Sequence, residues 1–414
     1  MAISGKFDLI IIGAGVMGSS TAYQAAKRGQ KTLLLEQFDF LHYRGSSHGE
    51  SRTIRSTYPE SYYPPMVIES EKLWKEPESE IGYNVFFKSE QLDLGPADSS
   101  SLLAVIANCK KHSINHRILN RHQANDHFSG AVNIPEDWTA VVTELGGILK
   151  PTKAVAMFQT LAIKHGCVLK DKTEIKLVDV DTEGVLVCSG SGEKFLGKKC
   201  VITAGAWVSK LVGNGGITIP IQPIETTVFY WKIKQGNEAD FTIGAGFPSF
   251  ASYGEPYIYG TPALEFPDLI KIAVHGGREC DPDKRTWGGS DAEGTATVVG
   301  YLKEWIKVTF GDRICWEDGP VMSQSCLYSM TPDEDYIIDF LGGKFGEDVV
   351  VAGGFSGHGF KMAPVVGRIL VDLAVGGTAA AAELEEEIKH FRLGRFEGNP
   401  RGNVKDFEDQ VRLR

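Results

Sequence analysis

The chain has 414 residues, 42% of them hydrophobic and 23% charged, with 47 glycines; it is too long for one ordinary core and suits two domains with a large buried interior. Its formal net charge of −10 argues against a polyanion partner, because nucleic-acid binding rests on clustered Lys and Arg neutralising phosphates. No apolar run approaches the roughly 18 residues needed to cross a bilayer, and the amino terminus enters a strand at Phe7 instead of a signal-peptide core, so a soluble intracellular protein is expected.

Residues 7–12, FDLIII, form an apolar run of strand length, followed by GAGVMG with Gly13, Gly15 and Gly18. VMGSSTAYQAAKRG then reads as a helix closed by Gly29, and KTLLLE as a second strand ending on Glu36. Because the full strand, turn, helix and strand context is present, the signal is far stronger than a lone glycine pattern. Gly13 makes the tight turn, Gly15 lets the backbone approach a pyrophosphate, and Gly18 lets helix and strand pack closely. The helix amino terminus offers free N–H groups and a partial positive charge to phosphates. Glu36 sits where a carboxylate accepts both ribose hydroxyls of an adenosine and repels a 2′-phosphate. NADP is disfavoured; NAD and FAD both remain.

The next segment, HYRGSSHGESRTIRSTY, places Arg52 and Arg55 among small polar residues, and alone it reads equally as a solvated basic loop. His112, His116, His122 and His127 crowd one stretch, the first two at the i, i+4 spacing of a helical metal pair. No cysteine or carboxylate completes a ligand set, so surface histidines and no metal are expected. Seven scattered cysteines without a C-x-x-C pair suit neither a disulfide framework nor a zinc site, and a reducing or neutral compartment fits.

PTKAVAMFQTLAIKHG has Pro151 at a helix start and Gly166 past its end, and TEIKLVDVDTEGVLVCSG reads as a strand hairpin. CVITAGAWVSKL runs from a strand into an Ala204-Gly205-Ala206 turn. Residues 276–295 are a loop by composition, read as a lid or a mere connection. In QSCLYSMTPDEDYIID a lone thiol, Cys326, is by its residue type a small core hydrophobe. Near the end, DVVVAGGFSGHGFKMAPVVGRILVDLAV repeats the strand, glycine turn and helix logic at Gly353, Gly354, Gly357 and Gly359. An NAD dehydrogenase has no obvious use for this second unit. A flavin does, since a helix amino terminus aimed at the N1 and C2 carbonyl end of its ring stabilises the charge that builds there on reduction. GGTAAAAELEEEIKHF reads as a short surface helix and the last dozen residues as a loosely held tail.

With GAGVMG, GSSHGESRTIR, AGAW, KIAVHGG, C-L-Y before DEDYIID, and GGFSGHGFK in place, nearly the whole chain resembles the monomeric sarcosine oxidase family of the glycine and D-amino-acid oxidase superfamily, and most of all its plant sarcosine and pipecolate oxidases. The resemblance implies a fold of α/β and α+β type: a discontinuous Rossmann-like FAD domain and a second, mixed-sheet substrate domain covering the flavin. The FAD domain would be built from 1–88, 147–220 and 320–400, the substrate domain from 89–146 and 221–319, with 401–414 as a tail.

The resemblance also implies roles. A cysteine in the position of Cys326 carries FAD through a thioether to the flavin 8α-methyl group, which overturns the core-thiol reading. Arg55 and Lys361 resemble the cations that hold a substrate carboxylate, His48, Arg52 and His358 match residues beside the flavin, and Lys271 matches a lysine that activates oxygen. His275 and Tyr328 match residues lining the substrate space. Such enzymes oxidise a secondary-amine amino acid, sarcosine or L-pipecolate, to an imine and reduce oxygen to hydrogen peroxide; a flavin dehydrogenase with another acceptor, or less readily an NAD enzyme, is the alternative. The implied partners are a small amino acid and oxygen, with no nucleic acid or membrane, and the implied state is a monomer. Two departures stand out: Ser47 replaces a family histidine, and the carboxyl end DQVRLR lacks the S-K-L type address of peroxisomal relatives, which leaves the location open between peroxisome and cytoplasm.

Overall fold

The computed structural model describes residues 5–264, 266–287 and 292–405. It is a mixed α/β fold built on two sheets, one of eight strands and one of ten.

In the first sheet the strand β1 (Gly5–Ile12) lies between the strands Lys194–Ile202 and β2 (Thr32–Leu35), all parallel. Val349–Gly353 extends the parallel set on one side and Val168–Lys170 on the other, and Ile337–Phe340 adds an antiparallel edge. The expected hairpin is present as Ile175–Asp181 paired with Gly184–Ser189. Parallel sheets are covered on both faces, so their strands read as unbroken apolar runs instead of alternating ones. Here Leu9 and Ile11 point into a core with the helix α1 (Val16–Lys27) and the helices Pro151–Lys164 and Ala363–Glu383, while Ile10 and Ile12 enter a second core with Val208 and Phe345.

The second sheet includes β3 (Arg52–Arg55), β4 (Phe86–Pro96) and the strands Trp138–Leu149, Gln222–Lys232, Leu269–Val274 and Met322–Met330. One face is apolar: Ile270 and Ile272 pack with Phe229, Trp231 and the buried Leu302, Ile306 and Phe310 of the helix Ala292–Phe310. Strand alternation then sends Lys271 to the opposite face. The stretches 1–88, 147–220 and 320–400 supply every strand of the first sheet, but they also supply β3 and Met322–Met330 to the second.

Three expectations are corrected. Residues 360–383 do reach the length and hydropathy of a membrane span, because this helix packs its Val365, Ile369, Leu370 and Leu373 into the first core and so needs apolar residues over most of its surface. The segment after it is more than a surface helix: the chain kinks at Gly377 (φ 61°) and buries Ile388 and Phe391 completely. The described start of the tail is pinned: Asn403 donates to Asp333 and Asp335 at 2.8 Å each, and Lys405 pairs with Glu60 at 2.9 Å. The rest of the tail lies outside the described residues.

Candidate functional site

The carboxyl ends of the parallel strands, where open α/β sheets bind ligands, open on an elongated cavity of about 570 Å³. Its walls run from Gly13, Gly15 and Glu36 past His48 and Arg52 to Arg55, Lys271 and Lys361. Of the residues singled out in the sequence, Gly205, His275, Cys326, Tyr328, Gly357, His358 and Gly359 also line it, whereas Gly18 and Gly354 stand behind the wall.

At the nucleotide end, Gly18 is dictated by packing: a Cβ there would sit 1.9 Å from the Gly13 carbonyl oxygen. Glu36 follows β2 and is tied to the glycine turn, its Oε2 accepting from Ala14 N at 2.8 Å and its Oε1 from Phe38 N at 3.1 Å. Oε1 also faces His42 Nε2 at 3.4 Å, and Oε2 keeps a second lone pair for a ribose hydroxyl. Ser47, the departure noted in the sequence, accepts from Val16 N at 3.0 Å and so engages the first turn of α1.

In the middle of the cavity, His48 is buried and its Nε2 has no hydrogen-bond partner. Burial, then the Arg52 and Arg285 charges, holds its pKa down to about 3, so the ring is neutral. Arg52 is fixed by its own backbone neighbourhood, donating to Ser51 O at 2.8 Å and His48 O at 2.7 Å, and it reaches Cys326 Sγ at 3.5 Å. Among the seven cysteines Cys326 alone lines the cavity. Burial drives Cys109 and Cys167 up to about 12, which suits inert packing thiols.

At the far end two cations meet one ring. Arg55 Cζ lies 4.9 Å and Lys361 Nζ 5.3 Å from the centre of Tyr58. Arg55 also donates to Tyr253 at 3.1 Å, to Tyr257 at 2.8 Å and to the Thr57 carbonyl. Lys361 donates to Tyr58 at 2.8 Å and to His358 O at 2.7 Å, and its own carbonyl is held by Ser70 and Trp74 of the helix Tyr63–Ile81. Burial, then Arg55, pulls the Lys361 pKa well down, an imbalance that an anion between the two cations would relieve. His275 sits beside Tyr328 and Tyr257 and is held near 4 by burial, Arg55 and Lys361. Gly357 leaves room for the Tyr328 ring, whose Cε2 would stand 2.6 Å from an added Cβ. His358 Nδ1 faces the Tyr58 and Tyr336 hydroxyls while Nε2 faces Glu334 O, which suits a neutral ring donating from Nε2.

Lys271 is buried, not solvated as a strand lysine ordinarily is; it donates to Ser51 O at 2.8 Å, and burial followed by Arg52 lowers its pKa to about 7. The clustered histidines disperse: His112 caps the helix Ser100–Lys111 and His116 begins the strand His116–Leu119, so they share no helical face. The segment 276–295 is not all loop: Arg278–Glu279 pairs as a short strand and the helix Ala292–Phe310 takes up its end; between them Arg285 is buried and donates to Arg44 O at 2.6 Å and Ser325 Oγ at 2.8 Å, and residues 288–291 lie outside the described residues. Tyr58, Tyr253, Tyr257 and Asp93 went unnoticed in the sequence, and only the paired tyrosines of YGEPY gave any hint.

The cavity has the features FAD requires: a glycine turn at a helix amino terminus, a ribose-side carboxylate, an unsatisfied His48 nitrogen, and a second glycine-rich turn in the same wall. The family model for FAD dependent oxidoreductases matches residues 8–373. The chain is 62% identical to a probable sarcosine oxidase of Arabidopsis thaliana, over 99% of this chain and 97% of the relative. It is 32% identical to the human peroxisomal sarcosine oxidase, over 94% and 96%. Its fold is similar to that of NikD, an unusual amino acid oxidase, with a TM-score of 0.78 at 20% identity, covering 93% of this chain and 97% of that one.

Proposed function

The chain belongs to the family of FAD dependent oxidoreductases, and from that premise we propose that it oxidises secondary-amine amino acids, sarcosine or L-pipecolate, to the imine, with oxygen as the final acceptor and hydrogen peroxide as product. The observation that carries the reading is the convergence of Arg55 and Lys361 on Tyr58 in the same cavity as the glycine turn and Cys326. An NAD-dependent reaction is not favoured, because the family is defined by FAD.

Bound FAD supplies the two-electron acceptor for the carbon next to the amine. Arg55 offers a planar donor fork and Lys361 a point charge, so the substrate carboxylate docks with a fixed orientation. His275, neutral and tilted against the Tyr328 ring, leaves the amine end uncharged by the protein, which suits a substrate that must give up electrons. Lys271 supplies the buried cation that stabilises negative charge developing on oxygen, and Cys326 provides the thioether to the flavin 8α-methyl group beside Arg52. The three-segment domain division and action as a monomer are part of this proposal. A peroxisomal location is proposed from the human relative's name and is tested by organelle fractionation.

Purified holoenzyme with sarcosine or pipecolate in air tests the reading: peroxide should form in step with substrate loss. Substrate oxidation that needs an added electron carrier and yields no peroxide would favour a dehydrogenase instead.

A further inference from the structure

Behind the two substrate-side cations lies a charge that the oxidation does not use. Asp93, in the middle of β4, is completely buried, and its Oδ1 stands 3.8 Å from Arg55 Nη1. That is too long for a hydrogen bond, and Arg55 is already oriented by the Thr57 carbonyl and the Tyr253 and Tyr257 hydroxyls. Asp93 therefore supplies charge and not orientation. Its Oδ1 accepts from Gln91 Nε2 at 3.2 Å and the nearby Thr57 hydroxyl also favours its ionised form, while its Oδ2 meets no donor in hydrogen-bond geometry. A carboxylate so poorly solvated stays ionised only while a cation answers it.

The groups that face Asp93 leave one cation for that task. Cys109 acts on it from the helix Ser100–Lys111, and Tyr253 and Tyr257 from the loop beyond the strand Ser249–Ser252. Burial raises the pKa of all three, so they are neutral near pH 7. Thr57 and Gln91 are uncharged, and Arg55 is the opposing charge. Burial lifts the Asp93 pKa to about 6 even with Arg55 pulling it down.

We propose that Asp93 is the counter-ion of Arg55 before substrate arrives and takes up a proton from solvent when a substrate carboxylate occupies Arg55, so that anion binding and proton binding are linked. The inference rests on the reading of Arg55 as the carboxylate holder. The incoming anion approaches from the cavity, which Arg55 lines and Asp93 does not, so two carboxylates come to flank one guanidinium. In a water-poor site such a pair shares a proton. One O–H bond forms on Asp93, and nothing is oxidised or reduced. Lys361 also holds its proton more tightly once an anion is near, so the Asp93 contribution is the difference between the parent and Asp93→Asn.

Calorimetric titration of holoenzyme with methoxyacetate, a small carboxylate without an oxidisable amine, in buffers of different ionisation enthalpy, reads both affinity and proton uptake. Above its titration near pH 6, the parent Kd is expected to rise with pH up to about tenfold per unit more steeply than that of Asp93→Asn, with more protons taken up. Equal slopes and equal proton numbers would overturn the linkage alone. Binding that is absent, or unchanged in Arg55→Met, would overturn the carboxylate reading and the linkage with it. Should Asp93→Asn fail to fold, infrared difference spectra of the parent with isotope-labelled methoxyacetate decide: a new carbonyl band of a protonated protein carboxyl supports the proposal, and its absence overturns it.

Discussion

Arg52 Nη2 stands 3.5 Å from Cys326 Sγ, so a guanidinium on β3 meets the thiol of a strand that begins 270 residues later in the fold's second sheet. The guanidinium holds the sulfur at the cavity wall, where the thiol is within reach of a flavin bound there. Cys326→Ala is therefore expected to release its flavin into the supernatant on acid precipitation, while the parent pellet stays yellow and the intact mass rises by one FAD. Arg52→Met should slow covalent incorporation into apoprotein, read as mass gain against time; unchanged incorporation would remove Arg52 from that role.

Removing the guanidinium of Arg55 leaves the carboxylate with Lys361 alone. Truncating one partner of a buried charge pair costs about 2–5 kcal/mol, so Arg55→Met should raise KM for sarcosine or pipecolate by about thirtyfold or more. Steady-state kinetics at fixed oxygen checks this, and a KM within a factor of two of the parent contradicts it.

Lys271 should act after substrate oxidation. Lys271→Met is expected to slow reoxidation of the reduced enzyme by about 10²-fold or more, the scale of losing one preorganised electrostatic group, with anaerobic reduction mostly spared. Because burial and Arg52 depress its pKa to about 7, the ammonium is present below that pH and lost above it. The parent's oxygen reaction should slow as pH rises through 7, and the variant's should not follow. Stopped-flow mixing with oxygenated buffer reads both.

His48 and His275 make stability depend on acid. Burial, joined by nearby cations, lowers their pKa to about 3 and about 4, against about 6.5 in an unfolded chain. Between those limits the unfolded state binds more protons, so their stability contribution is full above 6.5 and is lost as pH falls, by up to about 1.4 kcal/mol per unit for each ring. Thermal unfolding should show a midpoint that drops below pH 6.5, and less steeply in His48→Asn.

What the sequence revealed follows how local each feature is. Gly13, Gly18 and Glu36 were readable because the unit from Gly5 to Leu35 folds from neighbouring residues. Lys271 was readable as a site residue only by resemblance; its burial depends on a cross-strand partner, Tyr230, and on Ser51 far upstream. Asp93 and Tyr253 were invisible for the same reason, since β4 and the strand Ser249–Ser252 bring them to Arg55 across long stretches of chain. The helix over 360–383 was misjudged because burial on most sides and contact with lipid ask for the same residues.

Mixing holoenzyme with sarcosine, and separately with L-pipecolate, in the absence of air and following the flavin absorbance decides whether the cavity oxidises either amino acid. At least one should bleach the yellow band, and admitting oxygen should restore it with one peroxide formed per substrate consumed. An absorbance that stays unchanged with both would contradict the proposed oxidation.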